Sequence, residues 1–283
     1  MNNKMNNRIN NKKKKNGRIW TIILIVIGCI WMLPLIYMIS MSFRTPENAF
    51  EPVLFIKPFI LDNFKAVISD NPLYLNFISS IVTTVFSVAI VALVAAMCAF
   101  GLSRRGVRGK NFIYNMLILT LMVPISALVI PLTQINNNFG WLNKYQGLIF
   151  PYAALGIPFA MVILKGFMDE FPAELEDAAT VDGCNDYRLF VSIVIPSLRP
   201  GLVVVIIWQF LTSWNEFFLA LVTLNDKNMK TLTLIPMQYQ GFYFSQPGRL
   251  FAILVLISIP MIVFYALVQK NFVKGLMSGA VKG

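Results

Sequence analysis

Histidine is absent from this chain of 283 residues, and charged residues make up only 13% of it. Without histidine the chain can build neither a His-based catalytic dyad nor a metal site with His ligands. A soluble domain carries charges on about a quarter of its residues. The scarcity of charge, together with a hydrophobic content of 57%, therefore indicates a protein that crosses a membrane several times.

Cysteine is also rare, with Cys29, Cys98 and Cys184 as the three examples. They form no CxxC pair, so the sequence indicates neither a disulfide framework nor a zinc site. The sequence contains no GxxxxGK[ST] loop, and we expect the chain to bind no ATP or other cofactor by itself. No serine–base or paired-carboxylate arrangement lies inside the apolar stretches, which argues against a membrane enzyme.

Acidic residues are missing from residues 1–18, which contain seven Lys and Arg residues. This segment supplies seven of the net charge of +11, so the charge is no sign of nucleic-acid binding. With almost nothing apolar, residues 1–18 are predicted to be a disordered cytosolic tail whose basic run sets the topology. Binding of the basic run to anionic lipid is the alternative.

Six apolar stretches are long enough to span a bilayer, and they predict an all-α membrane protein: residues 19–43, 77–102, 112–132, 147–167, 201–223 and 250–268. Residues 19–76 would hold the first transmembrane helix and an extracellular segment, with a short interfacial helix from Asp62. Residues 77–268 would form a core of five transmembrane helices, and residues 269–283 a cytosolic tail. Pro124 and Pro131 are expected to bend the third span.

The basic residues predict the orientation of these spans. The division places 17 Lys and Arg residues on one side of the membrane and seven on the other. Since cytoplasmic loops carry the excess of Lys and Arg, both termini are predicted to be cytoplasmic. The chain is therefore expected to be a multi-pass protein of the plasma membrane.

A carboxylate-rich segment, which we call the polar loop (residues 169–200), separates two long apolar stretches. Membrane hydrocarbon excludes such a segment, and the topology places it in the cytosol. The residues from Ala173 to Asp182 predict a helix, and Gly183 suits the left-handed residue that ends it. Asn185 or Asp186 can cap a second helix, which is expected to stop at Pro196.

The first helix of the polar loop carries two stripes. Glu170, Glu174 and Asp177 follow i, i+4, i+7 spacing and make an acidic stripe. Leu175, Ala178 and Ala179 make an apolar stripe beside it. Such a helix can lie close against another protein and present carboxylates to it, although a solvated loop without a partner is the alternative.

The polar loop also carries a recognisable motif. Asp177-Ala178-Ala179, three residues, Gly183, nine residues and Ile193-x-Ile195-Pro196 resembles the cytoplasmic "EAA" loop of bacterial ABC-importer permeases. That pattern has Glu where this chain has Asp177, and Leu where it has Ile195. Trp214-Asn215-Glu216 and the C-terminal tail resemble the carbohydrate branch of the family, near the maltose-transporter group.

The resemblance implies a fold and a set of partners. The fold would be that of a type I ABC-importer permease, with six transmembrane helices and a cytoplasmic coupling loop. The partners would be a second related permease, two cytosolic ATPase subunits that carry the ATP, and an extracellular solute-binding protein. The loop residues that would dock on an ATPase subunit are Glu174, Glu176, Asp177, Ala178, Ala179, Gly183 and Pro196.

Polar side chains inside two spans are candidates for a translocation pathway. A hydroxyl stripe lies on the second span, and a mixed polar face lies on the fifth. In a membrane such residues also serve helix packing, so packing is the alternative for both sets. The candidates are Ser80, Thr83, Thr84, Ser87, Gln209, Thr212, Ser213, Asn215 and Glu216.

Two other classes of transporter remain open from the sequence. A permease for amino acids, phosphate or peptides would share the EAA-type loop, and only Trp214-Asn215-Glu216 and the tail favour a sugar. A channel is compatible with the spans, but it has no need of an acidic docking loop.

Overall fold

The structure, a computed structural model, describes the backbone of residues 2–49, 51, 53, 57–241 and 245–280, and side chains only between residues 19 and 269. Helices dominate these ranges, and the pairing of Gln240 with Ser245 is the sole β-bridge found in them. The chain divides into two compact units, Met1–Val67 with Tyr239–Leu256, and Ile68–Gln238 with Ile257–Gly283.

The first helix, α1, runs from Asn2 to Ser42, and α2 runs from Asp62 to Asp70, so the predicted start of α2 is confirmed. The structure continues α1 through residues 2–18, where the sequence predicted a disordered tail. A span that is already helical supplies the nucleus, and each added residue then needs only to extend the hydrogen-bond ladder.

The segment after α1 is organised around Arg44, which is 1% exposed. Its guanidinium donates hydrogen bonds to the backbone carbonyls of Glu51, at 2.8 Å, and Val53. The amide of Asn63 in α2 donates in turn to the carbonyl of Arg44 at 2.8 Å. Hydrogen bonds from this buried cation therefore tie Glu51 and Val53 to the end of α1.

The second unit is built on α3 (Leu73–Arg104), α6 (Gln146–Asp169) and α10 (Arg199–Asn215). Ala95, Ala96 and Ala99 of α3 are fully buried in its core, together with Met161 and Leu164 of α6. Small residues on one helix let the neighbouring backbone approach closely, which is how helices pack inside a membrane.

The third span is broken rather than bent, which corrects the prediction for residues 112–132. Its two helices, α4 (Lys110–Thr120) and α5 (Ile125–Asn138), meet at 102°. Pro124 explains the break, because a proline disfavours helical geometry in the residue before it and supplies no N–H. Pro131, by contrast, is accommodated within α5.

The fifth span also differs from the prediction. α10 ends at Asn215, two residues are non-helical, and a short helix, α11 (Phe218–Thr223), follows. A 3-10 helix, Leu232–Tyr239, leads on to the last helix.

The last helix begins at Pro247 and continues to Ala280, beyond the predicted end of the sixth span at residue 268. Four described helices are long and apolar enough to span a membrane, and two bent pairs, α4 with α5 and Asp186–Ser197 with α10, bring the number to as many as six. The second pair includes residues of the polar loop and so differs from the predicted span 201–223.

Candidate functional site

The polar loop begins with α7, Ala173–Val181, which confirms the first predicted helix to within one residue. Gly183 follows it with a φ of +83°. The N–H of Gly183 bonds the carbonyl of Thr180, and the N–H of Cys184 bonds that of Ala179, both at 3.0 Å. This pair of bonds is a Schellman motif, which requires a left-handed residue and explains the glycine.

The second part of the polar loop is longer and less regular than predicted. The side chain of Asn185 accepts the N–H of Arg188 at 2.9 Å and caps α8, Asp186–Leu189. A π turn, Phe190–Val194, and a short helix, α9 (Ile195–Ser197), continue it. Pro196 does not stop the helix, because it lies in the first turn of α9, where no N–H is required. The chain then turns by 75° into α10.

The exposed face of α7 carries both acidic and apolar groups. Glu174, Asp177 and Ala178 are exposed, and Leu175 and Val181 remain 53% and 88% exposed. Gly183 and Pro196 are exposed as well. The acidic stripe is shorter than predicted, because Glu170 caps α6 and does not belong to α7.

Two residues of the predicted docking set face inward instead. Ala179 is 7% exposed and packs in the core of the second unit. Glu176 is also 7% exposed, and its carboxylate accepts a hydrogen bond of 2.7 Å from Nε of Arg104, the last residue of α3. Both residues therefore lie on the inner side of α7, away from its exposed face.

The hydroxyl stripe of the second span also faces inward. Ser80, Thr83, Thr84 and Ser87 are at most 3% exposed. The hydroxyls of Thr83 and Ser87 donate to carbonyls one turn earlier in α3, at 2.8 and 2.6 Å. The stripe is therefore enclosed by helices of this chain, as the packing alternative expects, and its assignment to a pathway stays a prediction.

The polar face of the fifth span has a different environment. All five candidates on it line one cavity of about 410 Å³: Gln209, Thr212, Ser213, Asn215 and Glu216. The opposite wall comes from α6 and the start of α5. Aromatic side chains that the sequence did not single out complete the lining: Tyr152, Trp208, Phe217 and Phe218. In the sequence, Trp208 precedes the candidate Gln209, and this neighbour was a signal that aromatic side chains could share the site.

Hydrogen bonds hold the polar wall of this cavity in place. The amide of Gln209 donates to the hydroxyl of Ser213 at 2.9 Å and to the carbonyl of Tyr152 at 3.2 Å. Gly156 lies directly against that amide, where any side chain would overlap it.

Glu216 forms the end of the cavity wall at the break in the fifth span. Its carboxylate accepts the hydroxyl of Tyr152 at 2.7 Å and the N–H groups of Leu219 and Ala220 at 2.8 and 3.1 Å. The negative charge lies at the N-terminus of α11, where the helix dipole favours an anion. The carboxylate of Glu216, at the break in the fifth span, thus finds its hydrogen-bond donors within the chain itself.

Residues 90–278 of the chain match the family described as "Binding-protein-dependent transport system inner membrane component". The chain belongs to this family. It is accordingly a multi-pass membrane permease of a transport system.

Curated relatives match over almost the full length. The multiple sugar-binding transport system permease protein MsmG of Streptococcus mutans is 32% identical, over 96% of this chain and 99% of the relative. The trehalose transport system permease protein SugB of Mycobacterium tuberculosis is 30% identical, over 93% and 97%.

Solved structures share the fold. One is a bacterial ABC transporter involved in the import of the acidic polysaccharide alginate, with a TM-score of 0.78 and 23% identity over 90% of this chain and 96% of that one. The methionine ABC transporter MetNI gives 0.56 and 16% identity, over 76% and 98%. The permease has the predicted type I importer fold.

Proposed function

We propose that this permease is one of two related membrane subunits of an ATP-driven importer of a sugar or oligosaccharide. Two cytosolic ATPase subunits bind to the membrane pair and carry the ATP, and an extracellular solute-binding protein delivers the cargo. Family membership supports the transport role. The sugar-related names of the relatives favour a carbohydrate over an amino acid, phosphate or peptide.

The exposed face of α7 is the observation that carries the proposal. Exposed apolar groups as large as Leu175 and Val181, standing next to carboxylates in a polar segment, are typical of a protein contact surface. Glu174 and Asp177 would pair with basic groups of the ATPase subunit inside that contact, where water is excluded. The polar loop would then lie on the cytosolic side, with both termini.

The contacts that fix α7 to the rest of the permease would let it transmit force from an ATPase subunit. The Schellman motif ends it sharply at Gly183, and Glu176 and Ala179 fix its inner face to the core of the second unit. A rigid helix on a rigid docking site passes on a rigid-body motion. Closure of the ATPase pair would therefore switch the permease between its inward-facing and outward-facing states.

The cavity beside α10 suits a carbohydrate that moves through the permease. Sugar rings have apolar C–H faces and hydroxyl edges, and the cavity offers aromatic faces beside amide and hydroxyl groups. The carboxylate of Glu216 already accepts three hydrogen bonds from the chain, so it needs no hydrogen bond from the cargo. Gln209, Thr212, Ser213, Asn215 and Glu216 would then line the translocation pathway.

Purification of the assembly tests the proposal. A tag on this chain, in mild detergent extracts of its own cells, should retain an ATPase and a second permease. The assembly should hydrolyse ATP in a vanadate-sensitive manner, whereas the chain alone should show only background. Cells that lack the gene should lose uptake of a sugar and keep uptake of amino acids and phosphate. A tagged chain that retains no ATPase, or that hydrolyses ATP alone, would contradict the proposal.

A further inference from the structure

Each end of α3 carries a polar side chain that bonds groups beyond the helix, Asn76 fully buried and Arg104 largely buried. α3 contains 32 residues and no internal proline. At 1.5 Å per residue it is about 48 Å long, well beyond the roughly 30 Å of membrane hydrocarbon. It thus extends from the polar loop at one end to the segment after α11 at the other, which we call the far loop (residues 224–231).

At the polar-loop end, Arg104 joins three elements. Its Nε lies 2.7 Å from Oε1 of Glu176 in α7. Its Nη2 donates to the carbonyl of Met168 in α6 at 2.9 Å, and to that of Phe171, just before α7. The side chains of Arg104 and Glu176 are only 17% and 9% exposed, so the ion pair is poorly screened by water. The planar guanidinium fixes the direction as well as the distance of these contacts.

At the other end of α3, Asn76 connects the helix to the far loop. Asn76 is fully buried, and its amide donates to the carbonyls of Lys227 and Lys230, both at 2.9 Å. One turn further along α3, the hydroxyl of Ser80 accepts the N–H of Leu232 at 2.9 Å. The far loop is therefore bonded to α3 through its backbone, independently of the side chains in the loop.

We propose that α3 is a rigid rod that carries the movement of α7 to the far loop, with Arg104 and Asn76 as the positioning residues at its ends. The proposal rests on the proposed docking of α7 on an ATPase. The structure shows α3 as one uninterrupted α-helix from Leu73 to Arg104, without a proline or a π bulge at which it could bend. The hydrogen bonds of Arg104 and Asn76 then hold both ends of α3 against the neighbouring elements. Movement of α7 thus reaches the opposite end of the permease without passing through the broken spans.

The test places a reporter on the far loop of the purified, complete assembly. Asn228, which is exposed, is replaced by Cys after Cys29, Cys98 and Cys184 have been changed to Ser. The rate of modification by an impermeant maleimide is measured without nucleotide and after trapping with ATP and vanadate. Arg104→Gln, Glu176→Gln and Asn76→Ala are compared with the parent. Arg105→Gln is the matched control, since the ion pair of Arg105 with Asp186 is exposed.

We expect trapping to change the modification rate in the parent and in Arg105→Gln. In Arg104→Gln, Glu176→Gln and Asn76→Ala this change should be lost, although the ATPase stays bound and hydrolyses ATP at the rate of the parent. A merely structural role would lower assembly and hydrolysis together and would not separate them. If Arg104→Gln or Glu176→Gln fails to accumulate, the remaining two variants still test the rod from either end. If Asn76→Ala fails, the other two test it from the polar-loop end.

If trapping still changes the modification rate in all three variants with the ATPase bound, the role of α3 as a rod is refuted. The proposed docking of α7 is then unaffected. An unchanged rate in the trapped parent would also overturn it, because the far loop would then not move. Failure of the parent to retain an ATPase would instead refute the proposed function on which the rod depends.

Discussion

Tyr152 of α6 donates a hydrogen bond of 2.7 Å to Glu216, the residue at which the fifth span breaks. The same carboxylate caps α11 by accepting the N–H groups of Leu219 and Ala220. The side chain of Glu216 thus joins the end of α10, the start of α11 and the second turn of α6. The shape of the cavity at this point depends on the pair.

Tyr152→Phe should destabilise the permease and lower uptake. A hydrogen bond to a charged acceptor contributes about 1.5–3 kcal/mol. Glu216→Ala should cost more, because it also leaves two backbone N–H groups without an acceptor. The unfolding temperature in detergent and the rate of uptake measure both effects. Tyr145→Phe, the same change just before α6, is the control. Equal stability of Tyr152→Phe and Tyr145→Phe would show that the pair does not fix the break.

Gly156→Ala should block uptake through overlap with the amide of Gln209. That amide is buried and bonded on two sides, so it cannot swing away. Shortening its partner should relieve the overlap, and the double variant Gly156→Ala/Gln209→Ala should be more stable than Gly156→Ala alone. Gly166→Ala, on the same helix but with open space around it, is the control. A fully active Gly156→Ala would mean that α6 and α10 lie further apart.

Asp177→Lys should abolish uptake while the chain still inserts in the membrane. It would place a cation opposite the basic groups expected on the ATPase, and losing one partner of a desolvated charge pair costs about 2–5 kcal/mol. Asp177→Glu should be tolerated, and a Lys or Arg changed to Glu on the ATPase should partly rescue Asp177→Lys. Retention of the ATPase by the tagged permease measures docking directly.

Glu47→Lys is the control for Asp177→Lys, since Glu47 is an exposed acid outside the polar loop. Normal uptake and normal retention of the ATPase by Asp177→Lys would remove α7 from the contact.

Gly183→Val should weaken docking because it strains the backbone at this position, without any clash of the new side chain. The position is open, with nothing within 4 Å of an added side-chain carbon, but its φ of +83° is left-handed. A left-handed residue other than glycine costs roughly 1–2 kcal/mol, and a β-branched one more. Gly183→Asn should therefore lie between the parent and Gly183→Val in uptake and ATPase retention. The reverse order of the two variants would point to a role for side-chain size instead.

Labelling of single cysteines should establish the orientation. In a background without Cys29 and Cys98, Cys184 should resist an impermeant thiol reagent in intact cells, because the polar loop is proposed to be cytosolic. A Cys at Ser245, in a background that also lacks Cys184, should react from outside, since Ser245 is exposed. Permeabilised cells, in which both positions should react, provide the control. The opposite pattern would invert the topology and take α7 away from any cytosolic ATPase.

Local patterns determined much of this protein. Long apolar stretches predicted the helices because a membrane leaves a chain no other way to satisfy its backbone. The cap at Asn185 and the left-handed turn at Gly183 were also predictable, because each depends on a few adjacent residues. The spacing of the polar loop placed the chain in the family that the comparison with known proteins confirmed.

Tertiary structure decided what each polar side chain does. The hydroxyls of α3 and the amides of α10 look alike in sequence, yet the first set is enclosed between helices and the second faces a cavity. Glu176 and Asp177 are neighbours, but the helix turns one toward Arg104 and the other toward solvent. The chemistry of a side chain determines which bonds it can make. Whether it is free to bind another protein depends on partners more than 60 positions away in the chain, and these are known only after folding.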